Sequence, residues 1–395
     1  MQARAWRCEN RVAPWLALLP LARRGDQRIV RIIHLLNHSY KANGHVEVAV
    51  DLACEQARLG HEVFLVAGPG NFDAVLARHG VTFVELPAGG LRHVSVVMPA
   101  LLRALRAIRP DIVHAHMVAS AILARMARPL FRYRLITTLH NSFDRQSRLM
   151  GLGNLVIAVS DAVRREMVDK GIAPRKLRVV HNGTVNGARR SASPETIMPL
   201  AHPAIVTVAG LHPRKAIDTL IAAFASVRDR GLLANLYIVG EGPQERELEQ
   251  LAAATGHGEA IHFLGYSADP RQVMGGADIF VLPSLAEPCA LALIEARQMG
   301  CACLASDVGG NPEILEFGKS GQLFAPGNAA ELADLLMRLI EEPAELASLR
   351  AAARSGWAYW TVERMARETI AVYQEAISPS RQPARALAGK QAVPQ

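Results

Sequence analysis

From Ile29 to Ala376 the chain alternates short β-rich runs with Ala/Leu/Arg-rich stretches of helical spacing, and it does so twice. Ile29–Leu36 is a β-rich run, and Asn43–Arg58 follows with apolar residues at helical intervals (Val46, Val50, Ala53, Ala57) and stops near Gly60. Glu62–Ala67 is a second strand, closed by Gly68-Pro69-Gly70, and further strands are predicted at 82–86, 111–115, 135–139 and 155–160. Stretches between them, such as Met98–Ile108, read as helices. Strands separated by helices cannot pair as hairpins; they build a parallel sheet covered on both faces. Around Gly183–Pro203 the pattern lapses into polar sequence containing Arg189-Arg190. It then restarts, with strands predicted at 204–209, 235–239, 261–264, 278–282 and 301–306.

Two doubly wound α/β domains in tandem therefore account for 395 residues, a length beyond one ordinary core. The organisation expected is an N-terminal extension over 1–27, a first domain over 28–185, a linker over 186–203 and a second domain over 204–360. A helix over 361–377 is expected to pack back on the first domain, ahead of a Pro/Arg/Ala-rich disordered tail over 378–395. Residues 12–21 are apolar but short, and no run approaches the ~20 apolar residues of a membrane helix.

The net charge of +8 favours anionic ligands or an anionic surface. Aromatic residues are sparse and no basic stretch is interleaved with them, which argues against nucleic acid. The five cysteines form no C-x-x-C pair, so neither a disulfide scaffold nor a zinc site is indicated, and a reducing compartment is expected. No dense Asp/Glu/His cluster in the sequence demands a metal.

Chemistry concentrates after the predicted strand Asp278–Leu282. Glu287 falls in the loop at its carboxyl end, and Glu295 lies about two turns into the next helix, where ~3.6 residues per turn return it to a similar face. In open α/β sheets that crevice is where ligands bind. Two carboxylates at a helix N-terminus suit a polyhydroxylated ligand carrying phosphate, with N–H groups for the anion and carboxylates for hydroxyls. A dinucleotide site is disfavoured. The loop after the first strand, 37–44, lacks G-x-G-x-x-G, and Gly240-Glu241-Gly242 has Glu245 where the third glycine belongs.

The ordered set Val239–Pro243, Phe263–Gly265, Val281–Ser284, Glu287 to Glu295, Ser306–Gly310, Pro312-Glu313 and Gly318–Gly321 resembles the second half of a GT-B glycosyltransferase. The family is the large retaining one numbered four, the group 1 glycosyl transferases. Upstream, Arg109–His116, Thr138–His140, Val159-Ser160 and Val180–Gly183 are similar to its first half. The resemblance implies two Rossmann-like domains about a cleft, and transfer of a sugar from a nucleotide-sugar donor, with retention, to an acceptor hydroxyl. It implies Glu295 on the ribose, Glu287 on the donor sugar, N–H groups of Ala290 and Leu291 on the pyrophosphate, and Lys215, with Arg214 as a second cation, on the leaving phosphates. Gly44 would bring backbone close to the donor, and His140 would stand by the donor sugar as a catalytic residue alongside Glu287. No cofactor or essential metal is implied.

The resemblance, with the basic charge, implies as acceptor a glycan or lipid-linked sugar of cell-surface polysaccharide or lipopolysaccharide synthesis. The protein would then be cytoplasmic and peripheral on the inner leaflet, with Arg103, Arg106, Arg109, Arg132 and Arg134 offering a basic patch. Departures from the family pattern fall at Gly210, where an arginine is usual, at His45, where a second glycine is usual, and at Pro288-Cys289-Ala290. Ser160-Asp161 is read as a helix start with Asp161 as its cap, and His114 and His116, two apart on one strand, as structural. Alternatives sharing the fold are a sugar-nucleotide epimerase, a glycoside phosphorylase and a catalytically weak nucleotide-sugar-binding protein.

Overall fold

A computed structural model describes residues 29–41, 43–143, 145–190 and 193–378. The expected N-terminal extension, and the expected tail beyond Ser378, lie outside the described residues. Seven strands form the first sheet: β1 (Arg31–Leu35), β2 (Glu62–Ala67), β3 (Thr82–Glu85), β4 (Ile112–Ala115), β5 (Arg134–Leu139), β6 (Leu155–Ala158) and β7 (Leu177–Val179). Six form the second: β8 (Ala204–Val208), β9 (Asn235–Val239), β10 (Ile261–Gly265), β11 (Ile279–Leu282), β12 (Ala302–Ser306) and β13 (Gln322–Phe324). The orders are β3-β2-β1-β4-β5-β6-β7 and β10-β9-β8-β11-β12-β13, and every pairing is parallel.

Central strands such as β4 (IVHA), β6 (LVIA) and β11 (IFVL) are buried at every position, as strands covered by helices on both faces must be. Four apolar clusters result, one on each face of each sheet. In each sheet the order reverses between its first and fourth strands, at β1/β4 and at β8/β11. That reversal opens a crevice beyond the carboxyl ends of the strands. The loops leaving β4, β5, β8 and β11 all contribute residues to one cavity between the sheets.

The last helix, Val362–Ile377, belongs structurally to the first sheet: Val362, Met365, Ala366, Val372 and Tyr373 complete the same core cluster as β1 and the helix Gly44–Arg58. The chain thus crosses between the sheets twice, and the crossings lie side by side. The N–H groups of Thr184 and Val185 donate to the carbonyl of Trp360 at 3.0 and 3.1 Å, and Val362 N–H donates to the carbonyl of Val185 at 3.0 Å. Arg189 in the linker binds the first helix, with Nε 2.9 Å from Asp51 Oδ2 and a terminal nitrogen 3.0 Å from Glu47 Oε2.

Capping differs from expectation at one helix. Ser160, not Asp161, caps Asp161–Asp169: its hydroxyl accepts from Val163 N–H, because only a residue in extended conformation before the first turn can turn its oxygen back onto the N–H groups. Asp161 sits inside the first turn and pairs with Arg164 and Arg165.

Candidate active site

The cavity between the sheets measures about 750 Å³ and is lined by Gly44, His45, His140, Arg190, Gly210, Arg214, Lys215, Glu287, Ala290, Leu291 and Glu295, among others. Every site residue predicted from sequence therefore faces one space. The short helical turn Pro213–Lys215 after β8 and the loop after β11 meet there. Glu287 is only 5% exposed; its Oε1 accepts from Lys215 Nζ and from Ser284 Oγ at 2.8 Å, and an Arg214 terminal nitrogen stands 3.6 Å away. Arg214 also donates to the carbonyl of Ala286 at 2.9 Å and lies 4.9 Å over the ring of Phe143, which reaches across from the first domain. Two adjacent cations thus converge on one carboxylate, because the tight turn bends the backbone and keeps both side chains on the cleft side.

The loop carrying Glu287 is pinned from behind. Gly310 N–H donates to the Glu287 carbonyl at 2.9 Å, and Gly309 has φ +52°, with a position for Cβ only 1.8 Å from that same carbonyl oxygen. Glycine is required at 309 both by the backbone angle and by the space.

Glu295 lies in the second turn of the helix Leu291–Met299, whose first N–H groups have no partner within the helix. One carboxylate oxygen of Glu295 accepts from Arg190 at 2.7 Å, and burial pushes its carboxyl above the ordinary range against the pull of that arginine. Arg190 was legible only as half of a basic pair in a polar linker; its aim at Glu295 comes from chain path, not spacing. Gly44 approaches the same helix, a Cβ there falling 3.3 Å from Leu291 Cδ1. His45 sits near His38 and His140, and burial followed by His38 lowers its proton affinity to about pKa 4, so it is neutral.

His140 follows β5 and turns Nε2 toward His116 Nδ1 at 3.0 Å. Burial, then His45, pushes its pKa down to about 3. Behind it, β1 and β4 bring His34, His114 and His116 together, their ligand atoms within 4.8 Å of one another, a cluster that sequence spacing alone did not reveal. Each ring is committed to hydrogen bonds: His34 to Gln56 and His116, His114 to Tyr373 and Thr138, His116 to His34 and His140.

Glu313 lies in the short helix Asn311–Ile314 and reaches across to the first domain. Its carboxylate accepts from the N–H groups of Asp161 and Ala162, both at 2.8 Å, and from His181 Nε2 at 2.7 Å. Burial opposes the charge, yet these three donors hold the carboxyl below its ordinary range.

A family model described as group 1 glycosyl transferases matches residues 192–356, and one described as glycosyltransferase family 4 matches residues 42–185. The chain is 29% identical to a D-inositol 3-phosphate glycosyltransferase of Nocardia farcinica, an alignment that spans 63% of each chain and so just under two thirds of that relative. It is 28% identical to a GDP-mannose-dependent alpha-(1-6)-phosphatidylinositol dimannoside mannosyltransferase of Mycobacterium tuberculosis, over 72% of this chain and 82% of that one. Among solved structures, Anabaena Alr3699/HepE in complex with UDP-glucose superposes with a TM-score of 0.74 at 22% identity, covering 87% of this chain and all of that one. WaaG, a glycosyltransferase involved in lipopolysaccharide biosynthesis, superposes with a TM-score of 0.69 at 14% identity, over 87% of this chain and 99% of that one. These likenesses at low identity establish the GT-B fold.

Proposed function

Because this chain belongs to the group 1 glycosyl transferases, we propose that it moves a sugar from a nucleotide-sugar donor to an acceptor hydroxyl with retention of configuration. The observation that carries the reading is the setting of Glu287, which is buried between Lys215, Arg214 and Ser284 at the entrance to the helix that bears Glu295. In this reading Glu295 holds the ribose hydroxyls and the pyrophosphate lies on the N–H groups around Ala290 and Leu291. Lys215 has three N–H donors, one of them on Glu287, which leaves donors for the leaving phosphate. A helix N-terminus contributes up to ~2 kcal/mol toward an anion, and each charged hydrogen bond ~1.5 to 3 kcal/mol. Such terms offset the charge that develops on the departing diphosphate, and the reading includes no resident metal. The anomeric carbon–oxygen bond to phosphate breaks, the acceptor oxygen bonds to the same face, and its proton passes to the leaving phosphate.

A second cavity of about 490 Å³ opens at the carboxyl ends of β1 to β3, lined by Asn37, His38, Tyr40, Pro69 and the turn 88–92, and we assign it to the acceptor. The basic residues named above do not form a single patch beside it. Arg134 begins β5 beside Asp111, at the opposite, amino end of the sheet, whereas Arg103 and Arg106 lie exposed along the helix Val94–Ile108. An anionic membrane surface is met, in this reading, by that helix and its exposed Val94 and Val96. Among the described residues no helix is long and apolar enough to cross a membrane.

The test is a panel of nucleoside diphosphate sugars, screened by thermal shift and then for nucleoside diphosphate release with lipid-linked and glycan acceptors. Transfer to an acceptor supports the reading. Turnover of the donor sugar alone, or turnover that demands inorganic phosphate, replaces it with an epimerase or a phosphorylase. Within the reading, Gly309→Ala displaces the Glu287 carbonyl and is expected to lower transfer roughly 10²-fold, the effect of a displacement of about 1 Å at a reacting centre. Circular dichroism should show the fold retained; unchanged transfer would mean that this contact does not position Glu287.

A further inference from the structure

A file of buried side chains runs from the first helix to the cleft. Gln56 Oε1 lies 2.8 Å from His34 Nε2, His34 Nδ1 lies 2.9 Å from His116 Nε2, and His116 Nδ1 lies 3.0 Å from His140 Nε2. Gln56, His34 and His116 are 0%, 0% and 1% exposed, and His140 lines the cavity. A neutral imidazole has one N–H and one bare nitrogen, so a file of neutral rings has a direction, and the group at its buried end sets it. Burial keeps the rings neutral.

Gln56 turns its amide oxygen to His34 and its amide nitrogen to Tyr373 Oη, at 3.3 Å. His34 must then donate through Nε2, which leaves Nδ1 bare for His116. His116 in turn donates through Nε2 and accepts at Nδ1 from His140. The outcome at the cleft is a His140 whose proton is on Nε2 and whose Nδ1 is an acceptor. The other branch agrees with this direction: Tyr373 Oη stands 2.7 Å from His114 Nδ1, and His114 Nε2 stands 2.6 Å from Thr138 Oγ1. A tyrosine hydroxyl that accepts from Gln56 is free to donate to His114, which then donates to the threonine.

We propose that Gln56, His34 and His116 are positioning residues that fix the tautomer of His140, so that its Nδ1 accepts a hydrogen bond from a hydroxyl of the sugar being transferred. The role given to the sugar rests on the transfer reading above; the direction of the file does not. It makes a sugar with a hydroxyl at that point a ligand, and one with a keto oxygen there, or with no oxygen as in a deoxy sugar, a poor one. It also assigns a duty to side chains that neither touch the substrate nor face the cleft.

The test uses the full chain labelled with nitrogen-15 histidine. Long-range proton–nitrogen correlation at pH 7.5, with each ring assigned by its own substitution to asparagine, is expected to show His34, His116 and His140 all carrying the proton on Nε2. His140 with its proton on Nδ1 overturns the proposal, because the file would then run the other way. Stoichiometric zinc or another transition metal bound by the wild-type protein also overturns it, since a metal would take the ring lone pairs that the file requires. In kinetics, Gln56→Met fills the space without an amide acceptor and is expected to lower kcat about 10-fold with little change in donor KM, together with a changed His140 tautomer. A Gln56→Met protein with wild-type kcat and an unaltered His140 tautomer refutes the proposal. Should Gln56→Met not fold, the wild-type spectrum decides alone. A wild-type enzyme that transfers no sugar, yet shows the expected tautomers, fails the transfer reading and leaves the file standing.

Discussion

Alanine in place of Lys215 is expected to cut donor turnover by roughly 10²- to 10³-fold, the range for losing one preorganised donor at a developing negative charge. The lysine is half-buried and paired with the buried Glu287, so its ammonium has a fixed position and is only partly screened by water. The loss should appear in kcat, because in the proposed reaction the charge that Lys215 meets grows as the diphosphate departs. Glu295→Ala should behave differently. In the proposed reading Glu295 holds the ribose before and during the reaction, so the variant is expected to raise donor KM and leave kcat much less affected. Steady-state release of nucleoside diphosphate from the two variants separates these outcomes. Near-normal release from both would sink the assignment of this cleft as the donor site. A neighbouring effect follows: without Glu295, Arg190 loses its partner at 2.7 Å and keeps Asp269 at 3.8 Å.

The second large effect is an acid transition set by histidines. His34, His114, His116 and His140 all have pKa values pushed below the ordinary 6.5, chiefly by burial, His34 to about 4 and His140 to about 3. Unfolding exposes these rings, and below about pH 6.5 the unfolded chain takes up protons that the folded one refuses. Their contribution is therefore complete above that pH and declines as the pH falls toward the folded values. Each ring costs about 1.4 kcal/mol per pH unit in that window. Four together cost roughly 5.5 kcal/mol per unit, against a total stability on the order of 5–15 kcal/mol. Urea unfolding at pH 8, 7, 6 and 5 should show little change between the first two and a steep fall after, with unfolding at about pH 5. A midpoint that is flat from pH 7 to pH 5 would show that the rings are already charged in the fold.

The architecture was legible because buried parallel strands announce themselves as apolar runs at intervals that helices fill. Most predicted strands differ from the observed ones by a residue or two at their ends, where the ladder stops while the apolar run continues. Val159 and Ser160, for example, extend the run beyond β6 but already belong to the approach to the next helix. The edge strands β7 and β13 escaped notice. Leu177–Val179 and Gln322–Phe324 are three residues each, too short for any period, and only the neighbouring strand makes them strands.

At the site, residues near one another in sequence were legible and residues joined by the fold were not. Glu287 and Glu295 announce themselves by spacing, and Lys215 by its loop. Arg190 meets Glu295 from 105 positions away, and Glu313 meets the start of a helix from 152. His114 and His116 were visible as a pair, but the register that sets His34 beside His114 is a property of the sheet, not of either strand. Extended or helical backbone would point the adjacent Arg214 and Lys215 apart, and only the tight turn Pro213–Lys215 brings both onto Glu287.

The paired crossings at Val185 and Trp360 have a mechanical meaning. A single peptide link between two bodies is a swivel, free to twist as well as bend. Two links laid flat and laced together behave as a ribbon, easy to fold across its face and stiff to wring. At Gly183 a Cβ would lie 2.3 Å from the Thr361 carbonyl oxygen, so the ribbon admits no side chain between its plies there. Any relative motion of the two halves is thereby expected to follow a hinge-like arc rather than a twist, an arc that keeps Glu287 and His140 facing one another.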